Sequence, residues 1–301
     1  MTSTTLRVAA LIALLAAASG CAGRARDPRE RLAQLNIPYT PDSWLAQAGA
    51  GDTAAVTAFL AAGIDPNLRD AGGNTALLNA AAGGHDEVVR ALLGKGARAN
   101  VTNARGTTPL AAAILNDHPN TVALLLGAGA DLTAPSVGSH PLMLAIRARR
   151  PREVKQLLDK GAHAYIQDDQ WSALMMAAFL GEVDIVDALL AKDANLNVAN
   201  DEGATALMCA ASAGQTAAVR ALLAKGAALD AKDMAGMTAL MLAANNGQAE
   251  TTRALMEAGA DTGARSRTGA TAASLASANG HQEIAALLQD KSARAAAATK
   301  P

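Results

Sequence analysis

Apolar residues come in short paired segments along most of this chain. In GGNTALLNAAAGGHDEVVRALLGKGARAN, from Gly72, one Ala/Leu segment follows Thr75, and a second, containing Leu92-Leu93, precedes Gly96. GTTPLAAAILNDHPNTVALLLGAGADL, from Gly106, repeats the layout. Ala and Leu are strong helix formers, and strand formers are sparse. Each copy therefore predicts two short helices joined by a turn. Thr75, Thr108, Ser172, Thr205, Thr238 and Thr271 stand where the chain enters the first helix. Their hydroxyls are placed to cap free backbone N–H groups. Pro109 and Pro141 follow at the first helical position, where no donor is lost. Pairs such as Ala210-Ala211 and Ala243-Ala244 let the first helices approach closely. Leu92-Leu93, Leu125-Leu126, Leu157-Leu158, Leu189-Leu190 and Leu222-Leu223 are placed to fill the seam under the second.

The layout is periodic. Gly73, Gly106, Gly138, Gly203, Gly236 and Gly269, with Gln170 in the one missing slot, are spaced by 32 or 33 residues. Gly63, Gly96, Gly129, Gly161, Asp193, Gly226 and Gly259 follow the same steps. Glycine in this second series fits the left-handed turn that ends a helix. Such a period marks an array of two-helix units, each unable to bury its apolar face alone.

These copies resemble the ankyrin repeat, whose core pattern is G-x-T-P-L-H-x-A-A-x-x-G-H-x-x-V-V-x-L-L-L-x-x-G-A-D. The resemblance spans about residues 43–290. It implies an all-α ankyrin-repeat solenoid of about seven to eight helix-turn-helix units. Pro stands only at Pro109 and Pro141, with Ala elsewhere. The first unit, SWLAQAGAGDTAAVTAFLAAGIDPN, lacks its leading turn and has the form of an N-terminal cap. The last, GATAASLASANGHQEIAALLQD, lacks the closing glycine and has the form of a C-terminal cap. Trp44 and Phe59 fall on core positions of the first unit.

The start of the chain reads differently. MTSTTLR carries Arg7, and VAALIALLAAAS is an apolar run from Val8 to Ser19. A membrane-spanning helix needs about 20 apolar residues, so this run fits a secretory signal. Ala18-Ser19-Gly20-Cys21 resembles the bacterial lipobox, with Ala18 in the usual Leu position. Residues 1–21 are expected to be a signal peptide with a lipobox and Cys21 the lipidated residue, with simple cleavage as the alternative. By that resemblance Ala22 directs the protein to the periplasmic side of the outer membrane; a soluble periplasmic or secreted protein is the other reading. Residues 22–42, AGRARDPRERLAQLNIPYTPD, are expected to be a linker whose basic start lies near anionic headgroups. Residues 291–301, KSARAAAATKP, are expected to be a disordered tail.

Composition narrows the function. The chain has 301 residues, 50 % hydrophobic, 18 % charged and 2 % aromatic, with a formal charge of −1. Nothing here offers the basic face that nucleic acid requires. There is no phosphate-binding loop, local paired carboxylates or G-x-S-x-G, so neither an enzyme nor a cofactor is expected. Cys209 fills a slot held elsewhere by Asn79, Ala112, Leu144, Met176, Leu242 and Leu275, and reads as a small buried hydrophobe without a neighbouring base. His85, His118 and His281 share the turn slot of their units, and His140 replaces a capping Thr. All four read as structural. Met143, Met175, Met208 and Met241 form a ladder at steps of 32 or 33. Thioethers favour Cu(I), but the step between units separates them too far for a shared ion, so packing or an adaptable contact surface is the reading. No metal is expected.

Ankyrin arrays generally bind proteins, so the resemblance implies a protein partner. Trp171 is the outlier in its slot, and Phe179-Leu180 is the apolar outlier at the end of the first helix. Tyr165 belongs to the same unit, and the unit before it carries Arg147, Arg149, Arg150 and Arg152. Aromatics and arginine dominate interface hot spots. Units four and five, about residues 138–182, are therefore the expected partner-binding patch, rimmed by Asp168 and Asp169. The expected protein is a monomeric interaction module that holds or regulates a partner. Similar periplasmic proteins point to an oxidative-stress enzyme or a toxin, though no residue here selects either. A structural envelope protein without a dedicated ligand is the alternative.

Overall fold

The computed structural model describes residues 27–168 and 170–298, the side chains of 291–298 excepted. The expected signal peptide, Cys21 and Asp169 lie outside the described residues. Those described form seventeen helices and one two-residue strand pair, so the expected all-α class holds apart from that pair. They divide into two compact bodies, up to Arg98 and from Ala99 onward.

In the first body α1 (Pro28–Gln34) precedes α2 (Pro41–Ala50), α3 (Thr53–Ala61), α4 (Ala76–Gly83) and α5 (Asp86–Gly94). The expected linker, residues 22–42, therefore contains a helix. Asp27 caps it by accepting from Arg29 N, Pro28 opens its first turn, and Leu32 is buried where α1 packs on α3. Tyr39 stacks on Phe59 with 5.5 Å between centroids, and Trp44 meets Phe59 edge-on at 5.6 Å. Trp44 and Phe59 are fully buried, as their core positions predict.

The second body holds α6 (Pro109–Leu115), α7 (Pro119–Gly127), α8 (Pro141–Arg147) and α9 (Pro151–Asp159). The strands β1 (Gln167–Asp168) and β2 (Trp171–Ser172) come next. They lead into α10 (Ala173–Leu180), α11 (Val183–Leu190), α12 (Ala206–Ser212) and α13 (Thr216–Ala224). The body closes with α14 (Ala239–Asn245), α15 (Ala249–Glu257), α16 (Ala272–Ala278) and α17 (Gln282–Ala298). The first helices of successive pairs pack on one another, α6 to α16, and the second helices do the same, α7 to α17. The last helix runs through the expected disordered tail as far as Ala298, because nothing before Thr299 in that Ala-rich stretch breaks a helix.

Local chemistry explains the regularity. Thr75, Thr108, Ser172, Thr205, Thr238 and Thr271 each accept from the backbone N–H three residues on, at 3.1–3.4 Å. The first leucine of each seam pair is fully buried, from Leu92 to Leu222, and Met143, Met175, Met208 and Met241 are buried with them. The methionine ladder is buried packing, although Met175 and Met208 also line the groove described below. Neighbouring turns are tied as well: Asn100, Asn197 and Asp230 each accept a backbone N–H from the next turn, at 2.8–3.0 Å.

Candidate partner-binding groove

The one aromatic hairpin of the second body is fastened on both sides. β1 and β2 pair antiparallel, with Asp168 opposite Trp171. Asp168 accepts hydrogen bonds from the Ser139 hydroxyl and, at 2.7 Å, from His140 Nδ1 on the preceding turn. Burial works to raise the Asp168 pKa, but these two bonds and the Arg147 charge prevail and hold it below the ordinary carboxylate value. On the other side Gln170 Nε2 donates to Asp201 Oδ2 at 2.9 Å, and Asp201 N donates back to Gln170 Oε1. Gln170 in the glycine slot is thus a tie to the next turn. His140 leaves α8 without a side-chain cap and spends its ring on this anchor.

Trp171, so held, meets Phe179 of α10 edge-on, with 5.2 Å between centroids. Phe179 is 41 % exposed. The pair walls a groove of about 440 Å³. Ala204, Cys209 and Ser212 form its floor, Leu242 its far side, and Gln170, Asn200, Glu202 and Asp233 its polar rim. The shape follows from three repeated slots. Trp171, Ala204 and Met237 occupy one; Met176, Cys209 and Leu242 a second; Phe179, Ser212 and Asn245 a third. Each runs large, small, large along successive units, so the middle unit recedes between its neighbours.

Cys209 is only partly buried, contrary to its expected place inside the core. Its side chain faces the groove because its slot lies on the exposed edge of α12. Burial still pushes the thiol up to about 12, so it stays protonated at neutral pH. Catalysis by cysteine requires the thiolate, and no histidine lines the groove.

The other expected site residues separate. Tyr165 is 67 % exposed and stacks on His163 at 5.0 Å. It borders a different, small hollow beside Ala164 and Val198, away from Trp171 and Phe179. Leu180 is half-buried behind Phe179 and does not line the groove. Arg147 is exposed beside Asp168. Arg149 and Arg150 are occupied: Arg149 pairs with Glu182 at 3.0 Å, and Arg150 with Asp117 at 2.8 Å.

Those two ion pairs belong to a repeated contact. At four turns that keep glycine after the first helix, the first residue of the next unit's second turn lies across it. His85 covers Gly51, Gln215 covers Gly181, Gln248 covers Gly214 and His281 covers Gly247; a Cβ on Gly247 would come within 2.6 Å of the His281 ring. Asp117 and Arg149 replace glycine in that turn, at φ 64° and 56°. Their partners become Arg150 and Glu182. Arg149 and Arg150 thus tie neighbouring units together, and the groove itself is lined by residues between 170 and 242.

A second hollow, about 960 Å³ and open, lies between α1 and α3. It is larger, but Thr53, Thr57, Ala54 and Ala61 line one side and no aromatic ring enters it. It lacks anchoring groups of the kind that concentrate binding energy.

A family model described as ankyrin repeats matches residues 44–136, 142–233 and 230–298. No curated protein matches the chain.

Proposed function

The chain belongs to the ankyrin repeat family, and from that we propose a protein-interaction module that grips a partner in the groove beside Trp171. Ankyrin repeats are generally protein-interaction modules, and the matched segments cover most of the chain. The observation that carries the choice of site is the half-exposed Trp171–Phe179 pair standing over Ala204, Cys209 and Ser212. A large aromatic held in place from both sides loses little entropy on binding. The paired helices support eight units, from 43 to about 290. The reading includes no catalysis.

Localisation is part of the same proposal. Lipid on Cys21 would tether the module to the periplasmic side of the outer membrane, where it holds or regulates its partner as a monomer. Incorporation of a labelled fatty acid, lost in Cys21→Ala, is the expected result; equal labelling of both, or none, overturns the anchor.

The site is tested by crosslinking in cells, followed by capture and mass spectrometry, for wild type and Trp171→Ala side by side. A protein recovered with wild type and depleted with the variant is expected. Equal recovery moves the site off the groove. Absence of any specific protein with either chain favours a structural role in the envelope.

A further inference from the structure

The rim of the groove has one sign of charge. Glu202 and Asp233 line it, and none of its lining residues is Arg, Lys or His. Glu202 takes part in none of the ion pairs of the described residues. Its backbone is fixed: the carbonyl accepts from Met234 N at 2.8 Å, and the N–H donates to Asn200 Oδ1. Asp233 uses Oδ1 to accept from Ala235 N and Met237 N, which leaves Oδ2 beyond those two bonds.

The Trp171 and Phe179 rings, edge-on to each other, line the same recess as these carboxylates. Aromatic faces attract cations, indole most strongly. Two ring systems on one wall and two carboxylates on the rim make a recess that is negative and apolar together. The floor of Ala204, Cys209 and Ser212 leaves room for a long side chain, and Leu242 supplies an apolar flank.

Resting on the groove reading above, we infer that the partner inserts an arginine or lysine flanked by apolar residues into this recess. An acidic segment would meet like charge from Glu202 and Asp233. A wholly apolar segment would leave both carboxylates facing hydrocarbon, with partial loss of their water. A basic head with an aliphatic stem satisfies the rim and the wall at once.

The test uses the full chain and three acetylated, amidated peptides, Leu-Ala-X-Ala-Leu, with X as Arg, Gln or Glu. Trp171 emission reports the groove, since Trp44, the other tryptophan, is fully buried in the first body. The Arg peptide is expected to saturate the signal at a Kd about tenfold below that of the Gln peptide. The preference should shrink between about 0.05 and 0.5 M salt. The double variant Glu202→Gln/Asp233→Asn should erase it. That change suits the scaffold, because Asn103 and Asn200 make the same turn bonds in the Asp233 slot. Equal binding of the Arg and Gln peptides overturns the cation preference and leaves the groove a binding site, as does tightest binding of the Glu peptide. No saturable response to any peptide also overturns the preference; the Trp171→Ala capture then decides the groove on its own.

Discussion

At the scale of single residues, the turns show where a side chain works against its backbone. Six of the seven positions that close the second helix are glycine, with φ from 81° to 95°, and the seventh is Asp193 at φ 61°. An L side chain in the left-handed region carries a steric cost. Asp193→Gly is expected to stabilise the protein by about 0.5 kcal/mol in urea titration; a destabilised variant would show that Asp193 has a use of its own. Glu153 is the opposite case, an acid in a buried slot that holds Ala55, Val88, Thr121, Ile185, Ala218, Thr251 and Ile284 in the other units. Burial raises its pKa above the ordinary 4.5, and neighbouring Asp117 adds to that more than Arg150 relieves it. The folded state therefore holds the proton to higher pH than the unfolded chain. Its favourable contribution is complete below the ordinary carboxylate range and is lost as pH rises through the folded value. Glu153→Gln should be more stable than wild type at pH 7 and gain nothing near pH 4, read from urea midpoints; an equal gain at both would point to packing. The Asp193 slot was legible by comparing copies. The same comparison places Glu153 in a buried column, but its neighbours Asp117 and Arg150 become visible only in the fold.

At the scale of elements, the periodic helices were legible and the ends of the chain were not. The repeat identifies a helix by its copies, and residues 22–42 have no copy. What builds α1 is local: Asp27 as cap, Pro28 in the first turn, and Leu32 as the buried contact to α3. Leu32→Ala is expected to cost about 2–4 kcal/mol. Hydrogen exchange should then quicken in α1 and α3 of the first body. A loss within about 0.5 kcal/mol would mean that α1 adds little to that body. The arginines illustrate a second limit. Composition marks Arg149 and Arg150 as hot-spot residues, whereas their partners sit one unit away in sequence and become visible only when the turn slots are aligned with the slots that cover them. Both ion pairs are partly exposed, so a double-mutant cycle on Arg149 and Glu182 should return a coupling of about 0.5 kcal/mol.

At the scale of the molecule, the groove is a difference between units, and a reading that seeks outliers one slot at a time finds only its wall. Trp171 and Phe179 were visible as large residues; Ala204, Cys209 and Ser212 matter because they are small between large neighbours. Filling the floor should therefore block binding without unfolding the protein. Ser212→Leu is expected to leave the urea midpoint nearly unchanged and to remove the saturable Trp171 response to the Arg peptide; a retained response would place binding elsewhere. The alternating contacts between turns carry a different consequence, for inheritance. Arrays of near-identical segments gain and lose copies by slippage and unequal exchange. Here, loss of the copy that contains Arg149 and Arg150 would set Asp117 against Glu182, acid on acid. Tandem gain of the same copy would set Arg149 against a second Arg150, base on base. Either event is penalised at the new junction, so these two neighbouring charges act as a count-keeper, resisting change in the number of copies at the point where the chain approaches its groove.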